Sequence, residues 1–442
     1  MPLMPAGPNV LVVYALRQHP LRATIRDHLY AFERYSSGRT AYLNLAVRRR
    51  VPAWVRRARW DLVVFHTSYL ATYRWTPDGA PWMRRRSQAL RGLGRVRVAL
   101  PQDDFLRSDL VADVMEELGV DHVFTPVPPS EHEKVYGRMD LDRVRFHVAL
   151  TGYLDDEEVA RMVRIAEEVD AGPGRDVDVG YRAWHAAKWL GRHGQLKTEI
   201  ARVFAEEGPK HGLHVDISTR DEDTLYGDDW SRFQARSKYT IGVEGGASIL
   251  DRDGSLRVRV YDYELDHPDA TFAEVEAACF PGRDGELRLF AISPRHLEAC
   301  VSRTCQVLVR GEYNGVLEAD RHYIPLERDF SNLDAVLETM RRDDRREAIT
   351  QAAFRDVVEG GRWTYRGFVR SVEAVAPADG TPAAARVLAV ARWQDRVSWW
   401  YVAVLMRVVM PVWLKALASI PGPIARPLKR FAMARAQRKS QT

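Results

Sequence analysis

The chain has 442 residues, 46% of them hydrophobic and 28% charged, a globular composition with material for two ordinary domains and an extension. A formal charge of only +5 argues against a dedicated nucleic-acid binder, and the basic runs at Arg48–Arg50, Arg84–Arg86 and after Arg426 read as local solvated faces. Three cysteines without CxxC spacing argue against a disulfide framework or a zinc site and fit a reducing compartment.

The N-terminus, MPLMPAGPNVLVVYAL, lacks the basic region and cleavage pattern of a signal peptide. Val10–Tyr14 is predicted as the first strand, with a helix over Arg22–Arg34. Leu62–Phe65 and Val96–Leu100 are continuous apolar runs of the kind buried on both faces of a parallel sheet. Asp109–Leu118 is predicted as a helix and His122–Phe124 as another strand. A boundary falls near Thr151-Gly152-Tyr153, after which the alternation restarts. Strands are predicted at Asp176–Gly180, His214–Ile217, Tyr239–Val243 and Cys305–Val309. Helices are predicted at Gln195–Glu207, Trp230–Ser237, Glu298–Arg303, Leu333–Arg341 and Arg345–Glu359. Strands alternating with helices predict an α/β class with Rossmann-like parallel sheets.

In open α/β sheets, ligands bind outside the carboxyl ends of the strands. The polar residues that follow the apolar runs are therefore the candidates: His66, Thr67 and Ser68; Gln102, Asp103 and Asp104; Thr151–Tyr153; Arg182; Glu244, Gly245 and Gly246; and Glu298. Glu298 stands near a helix start, where a lone carboxylate reads a ribose diol. Gly245-Gly246 permits close backbone approach to a ligand. Arg182 and Lys197 are the cations best suited to a diphosphate, since buried phosphate charge needs charged partners. DxD triplets such as Asp251-Arg-Asp253, Asp176-Val-Asp178 and Asp221-Glu-Asp223 are too frequent to mark a metal site. HExxH, P-loop, GxSxG and GxGxxG motifs are absent from the sequence, which weakens protease, NTPase, hydrolase and dehydrogenase readings.

Several stretches, in order, resemble bacterial GT-B glycosyltransferases of the broad group that includes CgeB-like proteins and the GT4 clan. They are TIRDHLYAFERYS (24–36), VVFHTSYL (63–70), PQDDF (101–105), TGYL (151–154), YRAWHAAKWLGRHGQLK (181–197), DISTRDEDTLYGDDWSRF (216–233), IGVEGGASILDRDG (241–254), SPRHLEAC (293–300) and GEYNGVLEADRHYIPLERDFSN (311–332). The resemblance implies GT-B architecture. An acceptor-side Rossmann-like domain would occupy residues 1–150 and a nucleotide-sugar domain 151–375. A linker would follow over 376–386, then a basic, Trp-rich tail over 387–442.

It further implies that Arg182 and Lys197 meet the donor diphosphate and Glu298 the ribose. The clan's compact pair of glutamates eight positions apart is absent, because Phe290 stands eight before Glu298. Glu244 would be the displaced first glutamate, with an insertion between the two. His66 would face the donor sugar or acceptor, His322 and Tyr323 would line the donor site, and Asp103 or Asp104 would be the base if the enzyme inverts. GT4 kinship favours retention without a metal or resident cofactor, the nucleotide-sugar being a co-substrate. The expected function is sugar transfer to a glycan, lipid-linked or other cell-surface acceptor. The alternatives are a sugar-nucleotide 2-epimerase on the same frame and a non-catalytic, membrane-associated sugar-nucleotide or glycan-binding protein.

In the tail, Val397–Ile420 has the length of a membrane span but contains Arg407, Pro411 and Lys415. An interfacial segment is the expectation, with Trp393, Trp399, Trp400 and Trp413 at headgroup depth. Lys429, Arg430, Arg435, Arg438 and Lys439 would add attraction to anionic lipid. The expected location is cytoplasmic, peripheral on the inner face of the cell membrane.

Overall fold

The computed structural model describes residues 7–76, 78–376 and 385–409. Its first sheet contains β1 (Asn9–Tyr14), β2 (Arg39–Asn44), β3 (Leu62–Phe65), β4 (Val96–Ala99), β5 (His122–Thr125) and β6 (Arg145–Val148). Their order is β2-β1-β3-β4-β5-β6, and every neighbouring pair is parallel. The apolar runs of β1 and β3 are buried on both faces because helices cover both sides of the sheet.

The second sheet is built from β7 (Val177–Arg182), β8 (Val215–Ser218), β9 (Ser237–Gly242), β12 (Cys305–Val309) and β13 (Ile324–Leu326). Its order is β13-β12-β9-β7-β8, again all parallel. A two-stranded antiparallel sheet of β10 (Gly245–Ala247) and β11 (Leu289–Ala291) stands apart. In each parallel sheet the strand order reverses beside the first strand. The reversal lies at β1/β3 in one and at β7/β9 in the other, and each opens a crevice at the strand carboxyl ends.

The chain does not keep to two separate cores. Between β10 and β11 it inserts two helices, Ser255–Asp266 and Phe272–Cys279, which leave the second sheet. Ile249, Leu250, Leu256, Val260, Val275, Phe280 and Leu289 join the core of the first unit instead. Trp189, from the loop after β7, is buried in the same core against Phe105. Backbone bonds lock the junction: Phe105 O accepts from Asp251 N–H at 2.7 Å, and Asp251 O accepts from Arg107 N–H at 2.6 Å.

The C-terminal helices also return to the first unit. Phe368, Val369 and Val372 of the Tyr365–Glu373 helix pack with Leu29 and Phe32 of the Ala23–Tyr35 helix. The Ala385–Val404 helix then lies against β2. Tyr14 Oη–H donates to Asp395 Oδ1 at 2.6 Å and Tyr30 Oη–H to Asp395 Oδ2 at 3.1 Å. Trp54 Nε1–H donates to Gln394 Oε1 at 2.8 Å. Trp399 stacks on Tyr14, with ring centroids 6.1 Å apart.

Trp399, expected at headgroup depth, is thus a packing residue. Its helix has a polar inward edge (Gln394, Asp395, Ser398) that finds partners on the first sheet. Trp413, Lys415 and the basic residues beyond them lie outside the described residues. Among the described residues no helix is long and apolar enough to cross a membrane.

Candidate active site

The crevices of the two sheets meet. Gln102, after β4, donates from Nε2 to Thr151 O at 3.2 Å. Asn314, after β12, donates from Nδ2 to Pro126 O at 3.3 Å. Arg22, just before the Ala23–Tyr35 helix, lies 4.8 Å over the Trp184 ring in the loop after β7. Both units therefore contribute to one cleft.

Three charged groups define its centre. Asp103 has left-handed backbone (φ 56°), an unusual conformation for a non-glycine residue. Its carboxylate is partly buried and forms no hydrogen bond or ion pair among the described residues. Burial, helped by the neighbouring charge of Asp104, pushes this carboxyl up to about 6, while Arg74 and Lys197 pull the other way. Lys197 projects from the Arg192–Glu207 helix of the second unit and has no ion pair among the described residues. Burial and the adjacent Arg295 push its ammonium down to about 8, opposed by Asp103. Arg295 occupies the first turn of the Pro294–Val301 helix and donates from Nη1 to Arg182 O at 2.7 Å. It too lacks a carboxylate partner among the described residues.

Glu298 sits one turn further along the Arg295 helix. Trp230 Nε1–H donates to its Oε2 at 2.8 Å, and its other oxygen accepts no bond among the described residues. Burial raises this carboxyl, against the Trp230 bond and Arg295. Arg295 was not singled out from the sequence. The signal was its i,i+3 spacing to Glu298, which puts both on one helix face.

Other expected site residues are engaged elsewhere. Arg182 donates from Nη2 to Asp216 Oδ1 at 2.7 Å and from Nη1 to Asp216 O at 2.9 Å, and lies 4.3 Å over the Phe233 ring. Its guanidinium faces β8, and the guanidinium beside Lys197 is that of Arg295. Asp104 is buried in an ion pair with Arg74 and also accepts from Tyr136 Oη–H at 2.6 Å and Thr125 Oγ1–H at 3.2 Å. That leaves Asp103 as the carboxylate open to the cleft.

His66 is fully buried. Its Nδ1 accepts from Ser68 N–H at 3.1 Å, capping the Thr67–Trp75 helix, and its Nε2 meets His28 Nδ1 at 2.9 Å. Burial and the second imidazole keep it neutral. No face of the ring is left for an acceptor.

Glu244 is buried and its Oε1 accepts from Tyr313 N–H at 2.7 Å. It anchors the loop after β12, where Gly311 leaves it room: a Cβ there would stand 2.2 Å from Glu244 Oε2. Gly246 is likewise structural, since a Cβ would fall 1.9 Å from Leu289 O across the β10–β11 pair. Gly245 pairs with Ala291 in the same ladder. His322 bridges Glu318 N–H and Asp356, and Tyr323 is buried against Tyr313, so both serve packing rather than lining the cleft. Asp251, of the discounted triplets, accepts from Gly254 and Arg257 N–H at 2.9 Å each as a helix cap. Among the described residues no group of three or more His, Cys, Asp and Glu is placed to hold a metal ion.

No family model matches the sequence, and no curated protein matches it. Among solved structures, the chain is similar to Anabaena HepE in complex with UDP and glucose, at 9% identity and TM-score 0.45 over 83% of this chain and 99% of that one. Sucrose-phosphate synthase from Thermosynechococcus elongatus gives 7% identity and TM-score 0.45 over 83% and 98%. The pneumococcal O-GlcNAc transferase GtfA, in complex with UDP and GlcNAc, gives 11% and 0.36 over 71% and 56%, so this chain spans little more than half of that protein. Two Rossmann-like parallel sheets, each with its order reversing beside its first strand and both contributing to one cleft, make the architecture GT-B.

Proposed function

We propose that the protein is a glycosyltransferase that takes a sugar from a nucleotide-sugar donor to a glycan, lipid-linked or other cell-surface acceptor. The observation that carries the reading is the pair of cations, Lys197 and Arg295, standing without carboxylate partners among the described residues near the end of β7 and facing Asp103 from the other unit. A diphosphate supplies the negative charge this pair lacks. Arg295 offers a planar fork of donors and Lys197 a point charge, which together neutralise a leaving nucleoside diphosphate without a metal. Glu298, with one oxygen held by Trp230, turns the other to a ribose diol. Asp103 meets the transferred sugar from the acceptor side. In the retaining course, the acceptor oxygen attacks the anomeric carbon from the face the diphosphate leaves, and the departing phosphate oxygen takes the acceptor proton.

The test is a thermal-shift panel of UDP-, GDP-, ADP- and dTDP-sugars without added metal. Ligand binding to the native state raises the midpoint. One nucleotide class is expected to stabilise the wild type, and Glu298→Ala and Lys197→Met to remove the shift. Arg182→Ala should keep it, whatever it does to the midpoint itself. Absence of a shift in folded wild type would remove the donor site. Interconversion of the donor without an acceptor would point instead to the epimerase.

A further inference from the structure

We propose that the outward face of the Ala385–Val404 helix is a docking surface for an anionic lipid bilayer. The inward face is fixed by the bonds of Gln394 and Asp395 to Trp54, Tyr14 and Tyr30, with Ala391 and Val402 buried beneath it. The helix therefore cannot roll to hide its other side. That side carries Val390, Trp393, Val397, Trp400, Tyr401 and Val404, all exposed and recurring at helical spacing. Trp393 is 62% exposed and Trp400 69%. Two tryptophans on one solvent-facing stripe suit a membrane interface, where the ring is buried and the indole N–H stays wet.

Charge selects the occupant. Arg392 and Arg396 are exposed beside the stripe, with Arg386 and Arg407 exposed towards its ends. The one acidic residue of 385–409, Asp395, is turned inward onto Tyr14 and Tyr30. From 410 to 442 the sequence adds Lys415, Arg426, Lys429, Arg430, Arg435, Arg438 and Lys439 and no Asp or Glu. A second copy of the stripe would bring the same arginines against these, whereas anionic headgroups neutralise them.

The experiment is co-sedimentation of the full chain with phosphatidylglycerol/phosphatidylcholine vesicles and with phosphatidylcholine alone, in the absence of any nucleotide-sugar. Its outcome thus stands apart from the donor test. Wild type is expected to pellet with the anionic vesicles. A Trp393→Ser/Val397→Ser/Trp400→Ser variant, altered only at exposed positions, should lose partitioning about tenfold or more. Arg392→Gln/Arg396→Gln, which leaves the apolar stripe intact, should weaken binding to the anionic vesicles about tenfold or more and leave binding to phosphatidylcholine unchanged. Wild type that stays in the supernatant overturns the proposal. So does a triple serine variant that pellets like wild type, or a stripe-dependent dimer without lipid binding.

Discussion

Asp103 and Asp104 are adjacent in the chain but meet opposite surroundings. Asp104 is enclosed with Arg74, which meets it through Nη2 while its Nε and Nη1 have no hydrogen-bond partner among the described residues. Asp104→Asn leaves a buried guanidinium uncompensated and should cost about 3–5 kcal/mol in denaturant unfolding. Asp103 has no such partner, and folding disfavours its charged form. Its carboxyl titrates near 6 rather than 3.8, so the stability it contributes is complete below the unfolded value and lost as pH rises through 6. Asp103→Asn should therefore gain in melting midpoint relative to wild type as pH rises from about 4 to about 6, and keep that gain above it, while turnover falls about a hundredfold with loss of the negative charge facing the transferred sugar. For the wild type, kcat/KM reports the free enzyme. It should rise with pH through about 6 as Asp103 ionises and fall through about 8 as Lys197 loses its proton. A flat profile across that range would remove both groups from the site.

At the scale of elements, the sequence was most legible where an apolar run was long and buried, as in β1, β3 and β12. It was least legible at edges and in the insertion. β2 and β6 are edge strands with exposed ends and no continuous apolar run, so neither was predicted. The Ser255–Asp266 helix buries only Leu256 and Val260 along its length, too few for a clear stripe. Asp395 illustrates the same limit, since a lone carboxylate in an apolar helix gives no hint that two tyrosines 365 and 381 positions away in sequence will hold it. Asp395→Ala should loosen the Ala385–Val404 helix from β2. The measurable result is faster tryptic cleavage at Arg392 and Arg396, with the melting of the remaining chain little changed.

Over the whole molecule, the rule that ligands gather at strand carboxyl ends put Asp103 among the candidates, whereas Lys197, inside a helix, was named only as a cation suited to a diphosphate. What the rule lacks is side-chain direction. Arg182 ends β7 as expected, yet Asp216 on the neighbouring strand and the Phe233 ring draw its guanidinium to the other side, and the guanidinium beside Lys197 is that of Arg295, from a different helix. Similarly, His66 stands at the correct strand end but inside the core.

The 245–291 segment reaches from the second sheet into the core of the first and is bonded there by backbone. Residues 1–150 alone would expose the apolar surface that this segment and the returning helices cover, and should not fold as an isolated piece. Calorimetry of the full chain should accordingly give one transition rather than two. The same strap limits how such a protein can diversify. A new first unit cannot be exchanged as a block ending near residue 150, because part of its interior is encoded about a hundred residues downstream. Any successful chimera would have to carry residues 245–291 with the half they complete.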